Sequence, residues 1–398
     1  REPAFGCALF DDLSAPFVFE HKPNQTFRKV YKDHIHRQYR TTNRLPARLP
    51  YLQTVAERTV DSWNQSVLAA IRRLHGDHAW RHNASGKLVS FGLIRMANIK
   101  QAIGTAGFIA TNQPNAKVAC YHSQDFLIQR FLKERTLDHL LKRHQGNSGI
   151  EDDQKINAIV CNGPFDDIIF IVVATPVEEI GRDHDFDWAV IEPSSTRSIV
   201  QTAGRVNRHR HIDISKPNIA IMQFNHRWAR GEKTVFCKPG FESGDSHDSH
   251  NLAELLNWSE LSVIDAGLVF EQHRFAELDN AAIAKALETP LVRQFDLSAS
   301  TPWWITQALY VDYPLRDQKR QEEYYLDADE CFCLRYLADD SEYRWLARDH
   351  SITRIQAVCN DWLVYEHSEL FDYCKAFDLS PTAGMRVRVD QENVIYHK

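Results

Sequence analysis

Glycine and proline are scarce, with 16 and 15 residues in a chain of 398. The shortage excludes collagen-like, linker-dominated and low-complexity architectures, which depend on those two residues. No stretch approaches 18 uninterrupted apolar residues, so no membrane-spanning helix and no membrane partner are expected. The eight cysteines form no C-x-x-C pair, which fits neither a disulfide framework nor a zinc ribbon. They are expected to be reduced thiols of a cytoplasmic protein, mostly buried. Neither sign of charge dominates: 47 basic residues face 53 acidic ones, net −6. That balance excludes a uniformly basic nucleic-acid binder but not a local basic track. Methionine is rare, at positions 96, 222 and 385, and the first residue is Arg1. The expectation is a portion of something longer.

The length predicts two or three domains. Residues 1–50 are irregular and hold a basic cluster (Arg28, Lys29, Lys32, Arg37, Arg40, Arg44, Arg48) against one acid, Asp33. Such a cluster is either a solvated linker face or an arm lying on a phosphate backbone. From 51 to 230, helical and strand-like runs alternate. Helices are predicted over 51–75, 97–110 and 124–144, and strands over 88–94, 117–121, 188–191 and 219–224. The run Ile168–Ala174 (IIFIVVA) is continuously apolar, as in a strand buried on both faces of a parallel sheet. Strands alternating with helices imply βαβ units and a doubly wound α/β domain. Residues 231–251 break the pattern with Gly, Pro, Ser and Asp, which predicts a linker loop. Residues 252–290 then look helical, and 300–398 are rich in aromatics. Those aromatics either build the core of a smaller mixed α/β domain or stack bases.

The chemistry concentrates in residues 172–210. A buried strand ends at Ala174-Thr175, the carboxyl edge where parallel sheets bind ligands. The following loop carries Glu178, Glu179, Gly181 and Asp183. Gly181 can take the positive φ of a tight loop, leaving Asp183 to meet a ribose hydroxyl or a cation. After a second strand, Pro193-Ser194-Ser195-Thr196 offers a helix start with hydroxyl caps. On that helix Gln201, Arg205 and Arg208 are spaced i, i+4, i+7, which predicts one face. Two guanidiniums and an amide suit polyphosphate recognition, and arginine can neutralise charge on a transferred phosphoryl group.

Ala174-Thr-Pro-Val-Glu-Glu-Ile-Gly-Arg-Asp183 resembles motif V of superfamily 2 helicases, and Gln201-Thr-Ala-Gly-Arg205-Val-Asn-Arg208 resembles motif VI. Phe91-Gly-Leu-Ile-Arg95-Met-Ala-Asn98-Ile-Lys100 is similar to motif IV. Cys120-Tyr-His122-Ser123, with Arg130 and Glu134, is similar to motif IVa. The wording is most similar to the CRISPR-associated helicase-nucleases of type I systems, subtype I-F. The resemblance implies a second RecA-like domain over 51–230, preceded by a basic inter-domain segment (1–50) and followed by the linker (231–251) and an accessory domain (252–398). It implies that Arg205 and Arg208 reach the γ-phosphate of ATP, with Gln201, Gly181 and Asp183 near the nucleotide. Thr175, His122, Arg95 and Asn98 would lie along single-stranded DNA. The family's whole protein is an ATP-driven 3′-to-5′ translocase with an HD nuclease. It works with an RNA-guided surveillance complex and, in subtype I-F, with the spacer-acquisition machinery.

The chain departs from the family pattern at the nucleotide itself. No G-x-x-x-x-G-K-[ST] and no DEAD-type box occur. ATP and its Mg²⁺ are therefore expected to be held mainly by a first RecA-like domain, partnered in the same protein with the HD nuclease domain. Of the two HD dipeptides, His184-Asp185 falls in motif V and His247-Asp248 in the linker. Both are read as structural or solvated, so no metal site is expected. The competing readings are another superfamily 2 helicase, or a non-catalytic module that binds DNA or a partner.

Overall fold

The computed structural model describes residues 7–9, 17–19, 29, 33, 48–179, 181–210, 212–240, 242, 248–266, 268, 273–287, 321–329, 331–337, 343–349 and 361–390. The basic cluster of the first 50 residues lies outside these, apart from Lys29 and Arg48. So do Cys359 and His247. The chain divides into two compact units, Arg1–Pro46 and Ala47–Lys398. In the first, β1 (Cys7–Leu9) pairs antiparallel with β2 (Phe17–Phe19).

The second unit begins with β3 (Pro50–Gln53), α1 (Val60–His78), β4 (Trp80–Arg81) and β5 (Leu88–Arg95). Then come α2 (Ile99–Asn112), β6 (Ala116–Tyr121), α3 (Leu127–Leu141), α4 (Ser148–Glu151), α5 (Gln154–Asn162) and β7 (Asp167–Ala174). The series continues through β8 (Trp188–Ile191), α6 (Thr196–Ala203), β9 (Ile219–Met222), α7 (His226–Ala229), α8 (Leu252–Leu255) and α9 (Arg274–Leu287). Strands β3-β9-β8-β5-β7-β6 form a parallel sheet in that order, with β4 added antiparallel to the start of β5. Helices cover both faces, which is the doubly wound α/β architecture.

The strand β7 shows why its sequence is apolar without alternation. Phe170, Val172 and Ala174 face a core shared with α3, α5 and α6, while Ile169, Ile171 and Val173 face α1 and α2. Burying each such side chain contributes roughly 1.5–3 kcal/mol. The packing is close at the sheet centre: a Cβ added to Gly92 would lie 2.1 Å from the Trp188 ring.

Two expectations shift. The helix predicted from residue 51 starts at Val60, where Thr59 caps it by accepting from the Ser62 N–H at 3.1 Å. Residues 50–53 are instead a strand, because they pair with β9 far down the chain. The linker stretch is not wholly outside the body: Val235 and Phe236 are buried, and their N–H groups donate to Glu242 Oε2 at 2.8 and 2.7 Å. Leu252, Leu255, Leu261, Ile264 and Phe275 join the same core.

The C-terminal part holds β10 (Gln321–Leu326), β11 (Phe332–Leu337), β12 (Tyr343–Asp349), α10 (His367–Ala376), α11 (Pro381–Gly384) and β13 (Arg386–Asp390). The strands form an antiparallel sheet in the order β12-β11-β10-β13. Tyr324, Leu326, Phe332, Leu370, Met385 and Val387 pack with Phe126, Ile128 and Leu132 at the start of α3. These described aromatics form a core. A tether runs deeper: Trp362 is buried edge-on against Phe91 and Phe170, and its Nε1 donates to the Ile171 carbonyl at 3.2 Å. Cys120, Cys333 and Cys374 are buried, Cys237 and Cys331 half-buried and Cys161 exposed. Among the described residues no helix is long and apolar enough to cross a membrane.

Candidate functional site

Thr175 follows β7 and is buried. Its N–H donates to the Tyr121 carbonyl at 3.1 Å, which ties the ends of β6 and β7 together. A short 3₁₀ turn, Pro176–Glu178, then starts the loop. Gly181 is exposed with φ 71°, the left-handed region expected for it.

Ser195 caps α6 in a capping box with Ser198, as the Ser-Ser-Thr sequence predicts. The predicted single helical face does not form. The helix ends at Ala203 with Gly204 as its cap, and Asn207 takes φ 47°. Gln201 therefore stays on the helix, half-buried and without a side-chain hydrogen bond among the described residues. Arg205 and Arg208 leave it in different directions.

Arg205 is only 7% exposed. Its Nε donates to the Glu178 carbonyl at 3.2 Å, its Nη2 to the Glu179 carbonyl at 2.6 Å and its Nη1 to the Arg182 carbonyl. One guanidinium thus gathers three carbonyls of the loop that carries Gly181 and Asp183. Burial, and secondarily the Arg208 charge, lower its pKa, but arginine remains charged throughout the accessible range. Arg208 is 37% exposed at its side chain, and its Nε sits 2.9 Å from Asp183 Oδ1. Desolvation pushes the Asp183 carboxyl up, but His209, Arg208 and His144 outweigh it and hold the group below the usual carboxylate range. Arg48, the last of the N-terminal basic cluster, donates its Nε to the Val206 carbonyl at 3.2 Å.

Beneath this loop lies a charge cage that sequence reading passed over. Arg210 bonds both Asp185 oxygens, at 2.9 and 3.0 Å, and reaches Asp187 Oδ1 at 2.5 Å. Arg143, from just beyond α3, reaches the same Asp187 oxygen at 2.9 Å. Both carboxyls are desolvated yet held low by the two arginines. The signal was present in Asp185-x-Asp187 just before β8, where an extended backbone turns alternate side chains the same way.

His184 and Asp185 do not meet the geometry of an HD metal pair. His184 is fully buried with its Nδ1 2.6 Å from Glu178 Oε1, and Asp185 is consumed by Arg210. In the linker, Glu242 takes His250 at 2.9 Å.

The remaining predicted residues sit at the carboxyl ends of β5 and β6. Arg95 is 1% exposed; its Nε donates to Glu179 Oε1 at 2.7 Å and its Nη1 to the Glu192 carbonyl at 2.9 Å. Its Nη2 is buried without a partner among the described residues. Asn98 is the N-cap residue of α2, but its side chain makes no cap bond. His122 accepts the Gln124 N–H on Nδ1 at 3.2 Å, and burial lowers its pKa, so the ring is neutral at pH 7. Two groupings thus emerge. Asp183, Arg205 and Arg208 come together around the loop. Arg95 joins that loop from the other side through Glu179, whereas no side-chain bond links His122 or Asn98 to it among the described residues.

Comparison with known proteins gives these motifs a place. A family model for the C-terminal part of the CRISPR-associated nuclease/helicase Cas3 matches residues 89–211. The subtype I-F/YPEST Cas3 nuclease/helicase of Pseudomonas aeruginosa is 32% identical over 357 residues, covering 83% of this chain and 33% of that protein. Its counterpart in Pectobacterium atrosepticum is 34% identical over 293 residues, 68% of this chain and 26% of that protein. The chain therefore spans about a third or less of the length of these relatives. Among solved structures, T. fusca Cas3-AMPPNP aligns with a TM-score of 0.45 at 14% identity, covering 88% of this chain and 36% of that one. The sequence matches extend well beyond the motifs on either side, and the chain belongs to the CRISPR-associated nuclease/helicase family Cas3, of subtype I-F/YPEST, where it corresponds to the C-terminal helicase region.

Proposed function

We propose that residues 51–230 act as the second RecA-like motor lobe of an ATP-dependent 3′-to-5′ DNA translocase-nuclease of CRISPR interference. In this reading 1–50 is the segment leading in, 231–251 a linker and 252–398 the accessory part. The observation that carries the proposal is the contrast between the two motif VI arginines. Arg205 is spent on holding the motif V loop, while Arg208 is half-exposed and bonded chiefly to Asp183, with a longer 3.5 Å contact to the Gly204 carbonyl, and an incoming phosphate can replace that carboxylate.

The residues fit a nucleotide approached from one side. Asp183 and Gly181 would face the ribose, Gln201 offers an uncommitted amide, and Arg208 would neutralise charge on the γ-phosphate, with Arg205 fixing the loop beneath it. ATP, when bound, supplies the phosphoanhydride whose cleavage drives motion. Mg²⁺ prefers an all-oxygen shell, and the carboxylates here are committed to arginines or flanked by imidazoles. In this reading Mg²⁺ would be held mainly by a first RecA-like domain.

Single-stranded DNA would run over the strand ends at Thr175, Asn98 and His122. Contacts of this kind address phosphate and sugar, so they suit sequence-independent tracking. Arg95, at the same edge, is buried and would act from beneath by holding Glu179 and the loop. The nuclease domain, the surveillance complex and the acquisition machinery are partners of the whole protein in this reading.

The test is made in the full-length protein. Arg208→Ala should abolish DNA-stimulated ATP hydrolysis while single-stranded DNA binding stays within about twofold. Normal turnover would remove the proposal.

A further inference from the structure

Beside the motor chemistry lies a donor set of another kind. His144, Asp183 and His209 bring one ligand atom each within 4.8 Å of one another. His209 Nε2 is 3.1 Å from Asp183 Oδ1, and His144 Nε2 is 3.7 Å from Asp183 Oδ2. In a tetrahedral site with bonds near 2.0–2.1 Å, ligand atoms stand about 3.3 Å apart. The two separations, one to each carboxylate oxygen, fall on either side of that value, within reach of a small side-chain adjustment. The imidazole rings lie 3.8 Å apart, tilted by 41°, so the two histidines sit side by side at this carboxylate.

The trio is also held from behind. His144 follows Arg143, whose guanidinium is buried on Asp187. His209 precedes Arg210, locked on Asp185 and Asp187, and its own N–H donates to Asp185 Oδ2 at 3.0 Å. The backbone on both sides is therefore anchored in the cage, which is what a preorganised ligand set needs. His144 and Asp183 are accessible to solvent, so an ion has an entry path and room for a water or further ligand.

We infer that His144, Asp183 and His209 form a binding site for a borderline divalent cation of the Zn²⁺, Co²⁺ or Ni²⁺ class. Two imidazoles and a carboxylate match that class and not Mg²⁺ or Ca²⁺. Arg208 competes for the same carboxylate, so bound metal releases it. The binding itself stands apart from the motor reading, which is measured by ATP hydrolysis and not by metal uptake.

Co²⁺ is titrated into the metal-free 398-residue chain near pH 7.5. The expected result is one equivalent bound with the visible absorption of tetrahedral Co²⁺, bleached by added Zn²⁺. His144→Ala and His209→Ala should each weaken binding by about tenfold or more, and Arg208→Ala should tighten it. His144 is exposed, so its variant should melt like the parent. Absence of the band overturns the inference. So does unchanged Co²⁺ affinity in both histidine variants, which would place the ion elsewhere, for instance at Glu242 and His250.

Discussion

Arg205 Nη2 donates to the Glu179 carbonyl at 2.6 Å, so the first arginine of motif VI is bonded to the main chain of motif V. Its neighbour Arg208 carries no comparable structural duty.

The two arginines should therefore separate in a stability assay even if both matter for turnover. Arg205→Ala strands carbonyls of the loop and should cost about 3 kcal/mol. Arg208→Ala breaks a half-exposed ion pair and should change stability by less than about 0.5 kcal/mol. Urea unfolding of the chain measures both, and equal losses would contradict the division of roles.

Gly92→Ala should destabilise by several kcal/mol, beyond the usual 1–3 kcal/mol of overpacking, because the new Cβ meets the rigid Trp188 ring at 2.1 Å. A compensating Trp188→Leu should recover part of the loss, and thermal melting of the single and double variants tests this.

Arg210→Ala leaves Asp185 and Asp187 buried with Arg143 as their remaining cation, at an expected cost of about 3–5 kcal/mol at pH 7. The carboxyls have folded pKa values below their unfolded ones. Their stabilisation is thus complete above about pH 4 and is lost as pH falls through the lower folded values. The gap between wild type and variant should narrow below about pH 4. A constant gap down to pH 3 would mean that packing, not charge, carries the effect.

His226 responds in a different window. Buried edge-on against Trp63, its pKa is pushed down to about 4 by desolvation and then by Arg230. The unfolded chain binds the proton near pH 6.5, so stability falls between about pH 6.5 and 4, by roughly 3 kcal/mol at most. His226→Phe should flatten that part of a melting-temperature profile. A slope that persists there would assign it to other groups.

What the sequence makes legible here follows from range. The run IIFIVVA announces a strand covered on both faces, and Pro-Ser-Ser-Thr announces a capped helix, since both are local. Tyr51 and Leu52 read as helix because their strand exists only through pairing with Ile221 and its neighbours. The spacing of Gln201, Arg205 and Arg208 suggested one helical face. Gly204 ends the helix before either arginine, and three carbonyls from an earlier loop decide where Arg205 points. The Arg143–Asp187 pair joins residues on separate elements, and no local pattern announces it.

The C-terminal tether has a consequence for the sheet margin. β6 is an edge strand of the parallel sheet, and the outward main-chain groups of such a strand invite pairing with another chain. At Cys120 both groups are already taken: its N–H donates to Asp361 Oδ2 at 3.4 Å, and its carbonyl accepts from Lys133 Nζ at 2.6 Å. Lys133 in turn bonds both oxygens of Asp125. Side chains thus imitate the strand that is absent, and they do so with charge, which a hydrophobic strand from a second molecule cannot displace without stranding a buried ammonium. At this position the C-terminal part, through Asp361, shares with Lys133 in closing the sheet edge.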